Sequence, residues 1–124
     1  MLVHNKYLDE VGIENTDFPF VAPHSDTLDK EHGVIPCQTW NLYATLAMEI
    51  YTYLRNFQEC HIGHPVCMTA KEWEKLLEKI ISGFRLYLQN LDNLENTTEQ
   101  KQAIYDAFDK SMDLLKENWE FLWW

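Results

Sequence analysis

Four side chains in one short segment could bind a metal ion. Cys60, His61, His64 and Cys67 lie within eight residues and offer two thiols and two imidazoles. Zinc is bound tetrahedrally by thiolate sulfur and imidazole nitrogen, and a site whose four positions are all filled by protein is structural. The segment therefore predicts a structural zinc ion as the cofactor of this chain.

The identity of the fourth zinc ligand is open. If the adjacent Cys60 and His61 cannot both reach the ion, a histidine from the N-terminal part should replace one of them. The candidates are His4, His24 and His32. Cys37 is a poor ligand, because a helix of about 20 residues between it and Cys60 would separate the two by roughly 30 Å.

Two other interpretations of the segment remain. In the first, Cys60 and Cys67 are small buried apolar residues beside two ordinary loop histidines. In the second, one cysteine is a nucleophile and His61 or His64 is its base. The sequence offers no identifiable orienting group or oxyanion donor, and it lacks the HExxH motif of a catalytic zinc site. We therefore predict that the chain is not an enzyme.

Apolar side chains recur every three or four residues in three stretches, which predicts three amphipathic helices. The first helix extends from Thr39 to about Gln58. Its apolar side consists of Trp40, Tyr43, Ala47, Ile50, Leu54 and Phe57. The apolar side of the second consists of Trp73, Leu76, Leu77, Ile80, Ile81, Phe84 and Tyr87. That of the third consists of Ile104, Tyr105, Phe108, Met112, Leu115, Trp119 and Leu122.

The starts of the second and third helices are marked by capping residues. Thr69 and Glu72 match the Thr-x-x-Glu capping box of a helix N-terminus. Thr97 with Gln100, or Thr98, caps the third helix in the same way. The zinc loop lies between the first two helices, so a bound ion would tie their ends together and add its binding free energy to stability.

A mainly α fold in a single domain, residues 1–124, is expected. A chain of 124 residues can bury most of an apolar core without disulfides. Residues 39–124 should form an antiparallel three-helix bundle, the simplest packing of three amphipathic helices with short connections. Residues 1–38 lack helical periodicity and should form an irregular arm laid over the bundle. Gly83 either lets a neighbour approach closely or costs about 1 kcal/mol of helix propensity.

The charge of the chain limits its partners. Ten Lys and Arg against 20 Asp and Glu give a formal net charge of -10. Such a surface repels phosphates, which disfavours direct binding to nucleic acid and favours a protein with a basic surface. The sequence contains no run of about 20 apolar residues and no signal-peptide pattern, so neither a membrane span nor export is expected. The cytoplasm is the expected location, and the cysteines there are thiols or metal ligands.

Acidic residues recur along one side of the third helix. This acidic row consists of Glu99, Asp106, Asp109, Asp113, Glu117 and Glu120. Like charges at helical neighbour spacing destabilise an isolated helix by about 0.2–0.5 kcal/mol per pair. The row is either the solvated face of an acidic protein or a partner-binding surface that imitates a row of phosphates.

The chain ends in an aromatic segment with too many large side chains for one narrow stripe. It contains Trp119, Phe121, Trp123 and Trp124. Some of these should pack under the N-terminal arm. An exposed remainder would mark a partner surface or a dimer surface.

Short motifs between residues 37 and 88 resemble those of a widespread group of small acidic phage and prophage proteins. The motifs are Thr39-Trp40-Asn41-Leu42-Tyr43-Ala44-Thr45-Leu46-Ala47, Gly63-His64-Pro65, Met68-Thr69, Glu72-Trp73 and Ile80-Ile81-Ser82-Gly83-Phe84. The likeness covers about two fifths of the chain. The chain departs from the pattern by placing Cys60 and Cys67 on either side of the Gly-His-Pro loop, which fits a metal site gained locally.

Small acidic phage proteins of this build, some from streptococcal prophages, include anti-CRISPR proteins of the type II class. The resemblance implies that the chain binds an RNA-guided DNA nuclease of a type II CRISPR system in the bacterial host. It would block the basic surface that the nucleic acids of the nuclease use. The alternative is a phage structural or interaction protein of unknown target without inhibitory activity.

Overall fold

The computed structural model describes residues 3–13, 17–18, 42–91 and 93–123. Its elements in chain order are β1 (Val3–His4), α1 (Lys6–Asp9), β2 (Asp17–Phe18), α2 (Leu42–Cys60), α3 (Ala70–Gln89), α4 (Thr98–Glu117) and a 3-10 helix (Trp119–Phe121). β1 and β2 form a two-residue antiparallel pair. Three long helices dominate, so the predicted mainly α fold is confirmed.

The three long helices form an antiparallel arrangement with α3 in the middle. α3 packs against α2 on one side and against α4 on the other. Near the start of α3, Trp73 lies edge-on to Phe57 of α2 and to Phe121 beyond the end of α4. Further along α3, Phe84 packs against Phe108 of α4. Contacts therefore move towards the start of α4 as α3 proceeds, which is the predicted antiparallel order.

The apolar side of α3 forms the centre of the core. Its fully buried members are Trp73, Leu77, Ile80, Ile81 and Phe84. Leu76 and Tyr87 are half-buried against this cluster. The predicted apolar stripe of the second helix is therefore confirmed.

The predicted helix starts are also found. The Thr69 side chain accepts a hydrogen bond from the Glu72 N–H at 3.1 Å, and its hydroxyl donates to the Glu72 carboxylate. At α4, the Thr97 side chain accepts from the Gln100 N–H while the Gln100 side chain accepts from the Thr97 N–H. Both caps satisfy N–H groups that have no partner inside the helix, and they fix where each helix begins.

The described part of the N-terminal arm lies on α2. Leu8 is fully buried in the core, together with Tyr7 and Val11. The Asn5 amide donates to the Thr52 hydroxyl at 2.9 Å, and both residues are buried. The expectation that the arm covers the bundle is therefore confirmed for residues 5–13. Most of the remaining arm, including His24, His32 and Cys37, lies outside the described residues.

Ser111 and Gly83 form a close contact between α3 and α4. The Ser111 hydroxyl accepts a hydrogen bond from the Gly83 N–H at 2.9 Å and donates to the Lys79 carbonyl at 3.1 Å. A Cβ at Gly83 would overlap the Ser111 side chain and the Ala107 carbonyl. Of the two roles predicted for Gly83, the close approach of a neighbour is therefore the correct one.

The side of α4 that packs against α3 differs from the predicted one. Ser111 and Leu115 are buried, whereas Tyr105, Met112 and Trp119 are exposed. The apolar side chains of α4 cover a broad arc, and the Gly83 contact places the polar Ser111 at the centre of the interface. The prediction that all seven apolar residues share the packed side was wrong for this reason. On α2, Tyr43 is likewise exposed.

None of the helices described combines the length and the apolar character that a membrane crossing requires.

Candidate functional site

The segment with the four predicted zinc ligands connects α2 to α3. Cys60 is the last residue of α2, and the His61 N–H still donates to the Phe57 carbonyl at 2.9 Å. The Met68 N–H closes a turn on the Pro65 carbonyl at 3.2 Å just before α3 begins. The predicted position of the loop between the first two helices is therefore confirmed.

Both imidazole rings are held by main-chain carbonyls of the loop itself. His61 Nδ1 lies 3.0 Å from the Gly63 oxygen, and His64 Nδ1 lies 2.9 Å from the Pro65 oxygen. The His61 ring also stacks on Phe57 with a centroid distance of 5.7 Å. In the tautomer with the proton on Nδ1, each ring donates to its carbonyl and keeps the Nε2 lone pair for another ligand. Metal-bound histidines commonly have such a carbonyl partner.

Both thiols of the loop are free and exposed. The interpretation of Cys60 and Cys67 as small buried apolar residues is therefore wrong. In the described loop, neither thiol is hydrogen-bonded to His61 or His64, whose Nδ1 atoms lie against carbonyl oxygens.

The described residues do not gather the predicted ligands around one point. Within residues 3–13, 17–18, 42–91 and 93–123, no three His, Cys, Asp or Glu side chains are close enough to hold a metal ion. Cys60, His61, His64 and Cys67 share one loop, but metal binding would require them to converge. Of the alternative ligands, His4 is described only in its backbone and the other two histidines lie outside the described part. Zinc binding remains a prediction.

All six residues of the acidic row are exposed along α4 and the 3-10 helix that follows it. Asp106 accepts a hydrogen bond from Gln102 on its own helix at 2.8 Å. None of the six forms a salt bridge with another residue that the structure describes. At 1.5 Å per residue, the row extends for about 30 Å.

The arginines of the described part are engaged away from the acidic row. Arg55 of α2 forms salt bridges with Glu10 and Glu59 at 3.0 and 3.1 Å. Arg85 of α3 pairs with Glu78, and the hydrogen bond between them lowers the pKa of the Glu78 carboxyl. The negative charge of the row is therefore not neutralised by these guanidinium groups.

A cleft between the loop and the C-terminal residues was missed by sequence reasoning. It has a volume of about 400 Å³ and is lined by His64, Pro65, Val66, Cys67, Phe121 and Trp123. Trp73 fixes this end of the bundle, because its buried indole contacts Phe57 of α2 and Phe121 of the 3-10 helix after α4. The excess of aromatic residues at the end of the chain was the available signal, but their neighbour could not be deduced from spacing.

Comparison with known protein families, curated proteins and solved structures found no match for this chain.

Proposed function

We propose that this chain is a protein inhibitor that occupies a basic, nucleic-acid-binding surface of its partner. The acidic row carries this proposal. Its six carboxylates are exposed and form no salt bridge with another described residue, and five of them lie on one side of α4. A basic partner would relieve the repulsion among them.

The geometry of the row suits a groove that binds a nucleic-acid backbone. Such grooves follow the backbone with Lys and Arg side chains over many nucleotides. A row of carboxylates about 30 Å long on a preformed helix presents negative charge along a similar line. The chain would then compete with nucleic acid for the same Lys and Arg side chains of the partner without resembling the bases of the nucleic acid.

The proposed target is an RNA-guided DNA nuclease of a type II CRISPR system. The choice of target rests on the resemblance of residues 37–88 to small acidic phage proteins, whereas the acidic row argues only for a basic partner. Zinc at the loop would stiffen the junction of α2 and α3. Zinc binding is supported by the two exposed thiols and by the two Nε2 atoms, which stay free in the Nδ1-protonated tautomers.

The test measures the affinity of the chain for the purified nuclease over a series of salt concentrations, with and without guide RNA. We expect affinity to fall as salt rises, and guide RNA or target DNA to compete. The variant Asp109→Asn/Asp113→Asn should weaken binding by about tenfold or more. The matched control Glu74→Gln/Glu95→Gln removes two exposed charges elsewhere and should have a smaller effect.

Two results would count against the proposal in different ways. Absence of binding at low salt contradicts the nuclease as target. Equal losses in the row variant and in its control contradict the row as the contact surface, because net charge alone would then explain the affinity.

A further inference from the structure

Three exposed apolar side chains form a line along the outer side of α4 and the turn after it. Tyr105, Met112 and Trp119 follow each other at intervals of seven residues. Their exposed fractions are 54%, 41% and 63%. Because seven residues are close to two helical turns, Tyr105 and Met112 lie on one side of α4, about 10 Å apart. Trp119 lies beyond α4 in the 3-10 helix, where it lines a cleft together with Met112. We call the three side chains the apolar strip.

The end of the apolar strip borders an open cleft. It has a volume of about 430 Å³ and is lined by Met112, Leu115, Lys116 and Trp119. Leu115, which belongs to the buried core, forms part of its lining. Concave apolar sites of this kind receive the anchoring side chains of partner proteins.

Each member of the apolar strip is followed at once by an acidic residue. The pairs are Tyr105-Asp106, Met112-Asp113 and Trp119-Glu120. Successive α-helical residues are about 100° apart, so Asp106 and Asp113 flank Tyr105 and Met112 along the same side of α4. Glu120 is exposed next to Trp119 in the 3-10 helix. In coiled-coil packing, one helix presents apolar residues at two positions of every seven and charged residues beside them. The strip and its flank supply one such apolar position and a charged position next to it.

We propose that the apolar strip and its acidic flank bind a basic amphipathic helix of the partner. Apolar residues of that helix, three and four positions apart, would pack on the strip, and its Lys or Arg side chains would pair with the flank. A helix fits better than an extended strand, whose side chains on one face repeat every 6 to 7 Å or so. The inference rests on the proposed function and specifies the chemistry of the partner.

Charge complementarity selects this occupant over two others. A second copy would bring another net charge of -10, with its own acidic row, to the surface. An anionic lipid surface would meet the same repulsion, because helices that bind there are basic on their polar side. A basic helix gains both the apolar contact and the charge pairing.

The test uses two labelled Leu/Ala/Lys peptides of the same composition, each about 21 residues long. In the amphipathic peptide, leucines occupy one helical side; in the permuted peptide, they are distributed around the helix. Binding to the full chain is measured by fluorescence anisotropy. We expect the amphipathic peptide to bind at least about tenfold more tightly than the permuted one.

Matched variants locate the contact. Met112→Glu should weaken the binding of the amphipathic peptide by about tenfold or more, because it places a charge within the apolar strip. Leu46→Glu is the control, since Leu46 is 46% exposed on α2 and the substitution is of the same kind. Asp106→Asn/Asp113→Asn should reduce both the affinity and its salt dependence. Circular dichroism confirms that each variant is folded.

Four results would overturn the inference. The first is equal binding of both peptides, which would indicate attraction by charge alone, and the second is that neither peptide binds. The third is that the Met112 and Leu46 substitutions have equal effects. The fourth is a wild-type dimer that Met112→Glu dissociates, which would indicate that a second copy covers the apolar strip. If the peptides discriminate but the nuclease does not bind, the inference stands and only the proposed target is wrong.

Discussion

The α3–α4 interface is held by hydrogen bonds between two helices, whereas the Cys60 to Cys67 loop is held by contacts within itself. At the interface, the buried Ser111 hydroxyl joins the Gly83 N–H and the Lys79 carbonyl of another helix. In the loop, each imidazole contacts a carbonyl only one or two residues away, and both thiols are exposed. A substitution at the interface must therefore disturb two helices. The structural effect of a substitution in the loop should stay local unless a bound metal ion ties the loop together.

The largest effect is expected for Gly83→Ala. The new methyl group would overlap Ser111 and the Ala107 carbonyl, so α3 and α4 must separate. We expect a loss of about 2–4 kcal/mol in the free energy of unfolding, measured from urea denaturation. Helix propensity alone predicts the opposite sign, a gain of about 1 kcal/mol. A stabilised variant would therefore contradict the close packing of the two helices.

A smaller loss is expected for Ser111→Ala. The substitution removes one acceptor and one donor, but the Gly83 N–H and the Lys79 carbonyl are four residues apart on α3 and are therefore partners in its own hydrogen-bond ladder. We expect about 1 kcal/mol of destabilisation. Ser82→Ala is a matched control, because the exposed Ser82 hydroxyl donates to the same Lys79 carbonyl at 2.8 Å. Equal effects of the two substitutions would show that burial of Ser111 adds nothing.

Acid should act on the packing of α1 against α2 and not on the α3–α4 interface. Hydrogen bonds from the Tyr7 hydroxyl and from Lys6 lower the pKa of the Glu59 carboxyl below its ordinary 4.5. The folded state therefore binds this proton less readily than the unfolded chain. The resulting stabilisation is complete above pH 4.5 and is lost as the pH falls through the lowered pKa of the folded state.

The variant Tyr7→Phe tests this pH dependence. It removes the hydrogen bond that contributes most to the lowered pKa while keeping the buried ring. We expect lower stability than wild type near neutral pH and a shallower decrease as the pH falls below about 4.5. Tyr105→Phe on the exposed side of α4 is the control. Identical pH profiles for Tyr7→Phe and wild type would contradict the role of Glu59.

The smallest effect is expected in the loop of the metal-free protein. Cys60→Ser and Cys67→Ser should each change the free energy of unfolding by no more than about 0.5 kcal/mol, because both side chains are exposed. With zinc present, elemental analysis should find about one ion per chain in the wild type and little in the variants. A chelator should then lower the Tm of the wild type alone. A metal-free wild type would contradict the zinc prediction.

Much of the bundle could be predicted because helix signals are local. The Thr97 and Gln100 side chains cap α4 with hydrogen bonds that span three residues, so the start of α4 can be predicted from the local sequence alone. The stripe from Trp73 to Phe84 needs only the helical repeat. The orientation of α4 could not be predicted in this way. Its apolar arc is wide enough for several orientations, and the choice depends on Gly83, which lies on another helix.

The sequence by itself determined the three long helices, the position of the Cys60 to Cys67 loop between two of them, and the acidic side of α4. These features depend on residue type and on a repeat of three to four residues. Only the tertiary structure decided that Ser111, and not Met112, faces α3, and that Trp119 stays outside. It also decided that the loop thiols are exposed. The physical reason is that the sequence fixes the angles between side chains on one helix, whereas the closest approach of two helices selects the side that is buried.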